Sequence, residues 1–488
     1  MKQNNPYLTG FSRHLFGSAK RNLQADFQKK AQQIGSSCIS DLSMLFEPIL
    51  PRLFMNEVSH SQRVRYYDSL STFWAWTSQV LDGNASCSKA VSNVQSWRKQ
   101  LGLSVPSPDT GAYCRARSRL DTEMLSAISE RVGSTMSNRI REEDKWHGFT
   151  LKAIDGSSVQ LMDTAENQHD YPQPCGQKPG CGFPVMAVCG VLNLSHGAWE
   201  GFSTSKWSDH DLSATYNLLN HFNQGDLLLA DRAFCSYELI SLLKQKGTQS
   251  LMRLHQARAR KIDWRKGRRI GPNERILTWK KPGQPGGSQL SKKEWSELPN
   301  TLEIRVIRFT YRNRSGEKST MYLATTLLDN ERYDYSEINN LYMQRWEIEV
   351  KLRDMKTTLG MDLLRVKTPD MAKLSLQVMF IAYNLVKALM QEAAIAASIP
   401  VNALSFKGGL DTIAAYKSLY LGHHHHWRKR HFIHEGMISI MAQQRINIRP
   451  LRHEPRARKR RPKKYQLLTS SRNSFREISH RNTYKKTA

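Results

Sequence analysis

The spacing of apolar positions changes twice along this 488-residue chain. Up to about residue 145 apolar residues recur at helical spacing. SSCISDLSMLFEPILPRLF, interrupted by Pro48 and Pro51, and RVRYYDSLSTFWAWTSQVL predict amphipathic helices. ASCSKAVSNVQSWRKQLGL, a PSPDT turn and GAYCRARSRLDTEMLSAISERV predict a helix pair, with Arg115, Arg117 and Arg119 on the second helix. Such a pair fits a helix-turn-helix-like DNA reader. After Trp146 the pattern turns to strands. GFTLKAID reads as a strand ending on Asp155, VMAVCGVLNL as a strand paired with AWEGFSTS, and DLLLAD as a short buried strand ending on Asp231. SDHDLSATYNLLNHF, capped by Ser208 or Asp209, and YELISLLKQKG read as helices. Strands followed by helices after an early hairpin predict a mixed α/β sheet.

Residues 255 to 318 depart from this rhythm. They are basic, rich in glycine and proline, and too long for an ordinary connection, so they read as a partly β insertion reaching toward DNA. TLEIRVIRFTY and STMYLATTLL resume as strands. Ser336 is expected to cap the helix LYMQRWEIEVKLRDMK, and a second long helix runs from about Leu374 to Ala397. Its stretch LSLQVMFIAYNLVKALM is broken by Gln377, Asn384 and Lys387, which marks a buried helix and not a membrane span. The expected division is a helical DNA-binding region (1–145), two parts of an α/β catalytic core (146–254 and 319–400) flanking a basic β-rich insertion (255–318), and a C-terminal region with a basic tail (401–488).

Charge narrows the partner. Lys and Arg number 72 against 43 Asp and Glu, a formal net charge of +29. An excess of that size within folded-domain patterning points to nucleic acid. From about Arg449 the tail RPLRHEPRARKRRPKKY forms a basic, proline-containing arm, and His423 to His426 read as a phosphate-facing loop. The seven cysteines are odd in number and scattered, so no disulfide framework is expected. Cys175, Cys181 and Cys189 lack the paired spacing of a zinc site and read as reduced thiols. The N-terminus carries no apolar segment of signal-peptide length, so a soluble intracellular protein without a membrane partner is expected.

The chemistry concentrates in one helix. Tyr342, Arg345, Glu349 and Lys356 lie three, seven and fourteen positions along from the tyrosine, near-whole turns that predict one shared face. Ordinary i,i+4 ion pairing would account for the charges but not for the tyrosine. Asp155 and Asp231 each fall at a predicted strand end, the edge where open α/β sheets build their sites. Three carboxylates brought together would repel one another unless cations joined them. Hard oxygen donors suit Mg²⁺, with Mn²⁺ as a substitute, and two such ions serve in-line displacement at a phosphodiester. There is no P-loop motif for nucleotide hydrolysis.

These residues carry a resemblance. Tyr342, Arg345, Glu349 and Lys356 match the YxxRxxxExxxxxxK signature of DDE transposases of bacterial insertion sequences, of the insertion-sequence-four type. AIDGSSVQLMDT and LLLADRAF are similar to the contexts of that family's two aspartates, Asp155 and Asp231. The resemblance runs from about residue 105 into the tail, where EPRARKRRPKKYQLLT is also similar to family members. It implies an RNase H-like core with a β-rich insertion between Asp231 and Glu349, two Mg²⁺ held by Asp155, Asp231 and Glu349, and a homodimer bound to terminal inverted repeats and target duplex DNA. It implies cut-and-paste transposition through a hairpin intermediate. The DNA contacts expected are Tyr342, Arg345 and Lys356 on phosphates, Arg232 beside the second aspartate, and Arg115, Arg117 and Arg119. The tryptophan some relatives carry before the signature helix is missing from STMYLATTLL. Met321 or Tyr322 is the expected wedge, with Trp264, Trp279 or Trp295 as a stacking platform. The rival readings are a catalytically inactive or domesticated DNA-end-binding protein and a non-transposing RNase H-like nuclease.

Overall fold

A computed structural model of the protein describes residues 40–59, 65–209, 211–312, 318–423, 426–446, 467–471 and 474–475. The start of the chain, most of the basic tail and His424–His425 lie outside the described residues. The chain divides into two compact units, one of residues 1–79, 85–128 and 416–434, the other of 80–84, 129–415 and 435–488.

The early helical periodicity yields α1 (Asp41–Leu45), α2 (Arg52–Val58), α3 (Ser69–Leu81), α4 (Cys87–Gln100), α5 (Gly111–Arg117) and α6 (Thr122–Ser137). Aromatic residues build the core of the first unit: Trp74 stacks on Phe46 at 6.2 Å and meets Phe73 edge-on at 4.9 Å. Ser86 caps α4 by accepting the Lys89 N–H. Tyr113, fully buried on α5, donates its hydroxyl to Gln79 Oε1 at 2.8 Å.

The second unit is built on one ten-stranded mixed sheet. Its first strands are β1 (Thr150–Leu161), β2 (Val185–Asn193), β3 (Ala198–Lys206), β4 (Asp226–Ala230) and β5 (Gln249–Arg253), in the order β3-β2-β1-β4-β5. β2 and β3 form the expected antiparallel hairpin on β1, and β4 and β5 run parallel to β1. This is the RNase H-like arrangement. The five residues of β4 are all buried, as its unbroken apolar run requires of a central parallel strand. The helices α7 (Ala165–Asp170), α8 (Asp211–Tyr216) and α9 (Tyr237–Gln245) connect these strands.

The basic insertion contributes α10 (Gln256–Ala259), β6 (Arg268–Gly271), β7 (Glu274–Lys280), α11 (Lys292–Glu297) and β8 (Thr301–Arg312). These strands continue the core sheet, because β8 pairs with β9 (Lys318–Thr325) and β9 pairs with β5. Arg305, with no exposed side-chain surface, ties β8 to β7 through Glu274 Oε1 at 2.6 Å. Beyond β9 come α12 (Tyr335–Met343), α13 (Trp346–Arg353), a π-turn (Asp354–Thr358), β10 (Leu363–Leu364), α14 (Pro369–Ala396), α15 (Phe406–Gly422) and α16 (Trp427–Gln443). α14 is long and apolar enough to cross a membrane, but 89% of its most apolar window is buried inside the protein. It packs on β3, where Phe380 stacks on Phe202 at 4.4 Å. One polar break in its sequence is satisfied inside: Asn384 accepts the Trp199 N–H and donates to the Trp199 carbonyl.

Candidate active site

Parallel register brings the aspartates together. Ile154 of β1 pairs with Ala230 of β4, and Ala230 with Met252 of β5. Asp155, Asp231 and Arg253 are each the next residue, so they form a row across three adjacent strands spaced ~4.8 Å apart. Asp155 is not at a strand end as expected. β1 runs on to Leu161, held by β2 on one side and by β10 at Gln160–Leu161 on the other. What ends at Ile154 is the pairing with β4, and residues 155–158 are only partly buried. Function-bearing exposure therefore appears mid-strand, where the sheet forks.

The signature residues reach this fork differently from a single helical face. The helix breaks at Gln344 and Arg345, leaving Tyr342 in the last turn of α12, Arg345 at the N-cap of α13 and Glu349 in its first turn. Lys356 lies in the π-turn, where its ammonium pairs with Asp362 at 3.6 Å beside β10, and not with the carboxylates. The cap of α12 is Asp334, which accepts the Ser336 N–H at 2.7 Å, and not Ser336. A side-chain carboxylate outcompetes the hydroxyl because it accepts from the first turn as an anion at the positive end of the helix. α13 packs against β1.

Arg345 organises the site. Its guanidinium is 7% exposed and lies 3.0 Å from Glu349 Oε1 and 3.7 Å from Asp155 Oδ2. Burial alone would lower its pKa, but Tyr342, Glu349, Asp155 and Asp231 together hold it up. Burial pushes the Asp155 carboxyl up to about 6, against the Gly156 N–H and Arg345, while Glu349 and Asp231 add to the rise. Burial also raises the Tyr342 phenol, with opposing influences from Arg345 and Arg253 and a further rise from Asp231. The Tyr342 hydroxyl and Arg345 Nε are buried and have no hydrogen-bond partner.

Among the described residues no three His, Cys, Asp or Glu side chains are gathered closely enough to hold an ion. Between Asp155 and Glu349 stands the Arg345 guanidinium, supplying the positive charge the carboxylates require. The donor set itself, three carboxylates, fits a hard divalent cation.

Other expected contacts divide by exposure. Arg232, Arg115 and Arg119 are exposed. Arg117 is 8% exposed, with its guanidinium 4.0 Å from the Trp76 ring centroid, so it is a packing residue and not a surface contact. Met321, the expected wedge, is a buried side chain of β9 at 8% exposure, and Trp295 is buried likewise. Tyr322 and Trp264 are partly buried and face each other at 6.0 Å, with Arg308 over the Trp264 ring. Arg253 escaped the sequence reading. Its signal was its place in LMRLHQ, the end of the strand after DLLLAD.

Residues 146–385 match the family model described as the transposase DDE domain. The chain is 28% identical over 286 residues to the transposase InsG of insertion sequence element IS4 from Escherichia coli K12, covering 57% of this chain and 60% of InsG. It is 24% identical over 137 residues to the putative transposase InsZ of the same organism, covering 28% of this chain and 46% of InsZ. Both alignments span less than two thirds of the relative. Among solved structures it is similar to a chain in the cryo-EM structure of a piggyBac transposase synaptic complex with hairpin DNA, with a TM-score of 0.44, 11% identity, and 85% and 87% of the two chains covered. Residues 146–385 thus resemble a transposase DDE domain, and the chain is similar to a transposase of insertion sequence element IS4.

Proposed function

We propose that the protein is a cut-and-paste transposase that binds the terminal inverted repeats of its element as a homodimer, cleaves the DNA at the element boundary and joins the released end to target DNA. The observation that carries this reading is geometric: the register of β1 and β4 sets Asp155 beside Asp231, and Arg345 lies 3.7 Å from Asp155 and 3.0 Å from Glu349. Those three carboxylates are the residues that would hold two Mg²⁺, or Mn²⁺ in its place. Bound there, the cations would activate the attacking oxygen and stabilise the leaving one.

The remaining work falls to the protein. Arg345 offers a fork of donors to a phosphate, with its buried Nε unpaired toward that role. Tyr342 adds a hydroxyl donor from beneath, and Arg253 and Arg232 extend positive charge along the same edge. Lys356 would hold a phosphate farther along β1 as a point charge. The α4–α5 pair with Arg115 and Arg119, the insertion and the basic tail would bind the flanking duplex, in the cytoplasm at the nucleoid. Tyr322 with Trp264 is the stacking pair available for a flipped base in a hairpin step.

The test is cleavage of a labelled duplex that ends in the inverted repeat flanking the reading frame. Wild type with Mg²⁺ should nick one strand at the repeat boundary and then give a hairpin. Glu349→Gln and Asp155→Asn should bind the duplex without cutting it. Binding without cleavage by wild type, in Mg²⁺ and in Mn²⁺, would replace this reading with that of an end-binding protein.

A further inference from the structure

We propose that the first half of α16 is a wedge that bends duplex DNA, with Phe432 entering between base pairs and Arg428 and Lys429 on the flanking phosphates. This wedge deepens the transposase reading, on which the choice of duplex DNA rests. Residues 427–434, WRKRHFIH, hold three Lys or Arg and no acid. One face of the stretch is fastened within its own unit. Arg430 donates Nη1 to Glu47 Oε2 at 2.6 Å, and the Tyr420 hydroxyl of α15 lies 3.1 Å from His434 Nδ1. Arg430 and His434 are four positions apart and so share that face. Arg428 and Phe432 are each two positions from Arg430, about 200° around the helix, and so occupy the opposite face. Phe432 is 77% exposed there, and Arg428 and Lys429 are exposed beside it. Trp427 is 66% exposed at the helix start, with the Arg428 guanidinium 5.5 Å from its ring centroid.

An exposed ring contributes no burial to the fold. Set among cations, it has the chemistry of a minor-groove wedge. The cations neutralise phosphates, and the ring replaces the stacking that a kinked base step gives up. Charge favours a duplex over a second copy, since each chain carries a net charge of +29 and the same unit presents exposed Arg115 and Arg119. Trp427 and Phe432 lie about 140° apart around the helix, so they do not make the continuous apolar face that a lipid surface takes.

The experiment uses the full-length chain, without divalent cations, on a duplex that ends in the flanking inverted repeat and carries donor and acceptor dyes at its two ends. Wild type should shorten the end-to-end distance, as a kink of about 20–90° does. Phe432→Ala should bind with an unchanged melting midpoint and lose the shortening, and Phe432→Leu, which keeps an apolar wedge, should restore it. The double variant Arg428→Gln/Lys429→Gln should lower the salt slope of binding by about two. The proposal is overturned if wild type leaves the duplex straight, if Phe432→Ala bends it as wild type does, or if the double variant keeps the full salt slope. It is also overturned if Phe432→Ala changes the mass of the DNA-free protein in light scattering or its retention on anionic vesicles, which would make this face a contact between copies or with lipid. Cleavage is scored separately with Mg²⁺. Bending without cutting keeps the wedge and removes the transposase reading, whereas cutting together with an undiminished bend in Phe432→Ala removes only the wedge.

Discussion

Arg345 shows how a single residue can organise a site. Its guanidinium pairs with Asp155 and Glu349 from a nearly buried position. Removing either carboxylate leaves a site without its full oxygen set. Glu349→Gln and Asp155→Asn are each expected to lower cleavage by at least about 10³-fold, equivalent to ~4 kcal/mol, with duplex affinity retained. Asp155 also carries a pH signature. The folded protein holds its proton up to about 6, whereas the unfolded chain releases it near 3.8. Stability from this group is therefore intact below the lower value and is lost as pH rises through the higher one. The charged carboxylate costs on the order of 1–3 kcal/mol at pH 8. With chelator present, Asp155→Asn should raise the denaturation midpoint at pH 8 and not at pH 4; an equal effect at both would contradict the burial argument. Arg117 was legible in the sequence as one of three basic residues on a helix, but nothing local distinguished it from Arg115 and Arg119. The distinction comes from Trp76, about forty positions away. Arg117→Met should cost about 1–3 kcal/mol of stability. Arg115→Gln and Arg119→Gln should each lower the salt slope of DNA binding by about one, with stability unchanged.

At the scale of elements, the periodicity located the hairpin of β2 and β3, buried β4 and the long α14, because each pattern is local and strong. It misjudged the signature segment. A continuous 3.6-residue repeat was expected to give one helix, and the chain instead breaks at Gln344–Arg345 and ends in a π-turn. The break turns Arg345 toward β1 and moves Lys356 off the carboxylate face. Strands are tied to one another by charge as well as by ladders. Lys152 of β1 reaches Glu200 of β3 at 2.7 Å and Asp226 of β4 at 2.8 Å while also donating to the His221 carbonyl at 2.5 Å. Lys152→Met would leave two acids without their partner and should cost about 3–5 kcal/mol in chemical denaturation.

At the scale of the whole molecule, the excess of positive charge predicts binding dominated by phosphates. Affinity for duplex DNA should fall steeply between low and physiological salt, and truncation from Arg449 should make that dependence shallower. An unchanged slope on truncation would remove the tail from the DNA-binding surface. The insertion likewise has a meaning visible only at this scale: its strands are appended to the core sheet through β9, so its basic hairpin is held on the same framework as Asp231.

The sequence by itself determined the carboxylates, the basic character, the order of helices and strands, and the resemblance to a family, since these rest on residue identity and on spacing within a few turns. Tertiary structure decided that Asp155 lies at a fork in mid-strand, that Arg253 stands level with Asp231, that Arg345 occupies the space between two acids, and that Arg117 and Met321 are withdrawn from the surface. Each of those outcomes depends on register or burial against residues distant along the chain, and a local pattern carries no record of its distant partners.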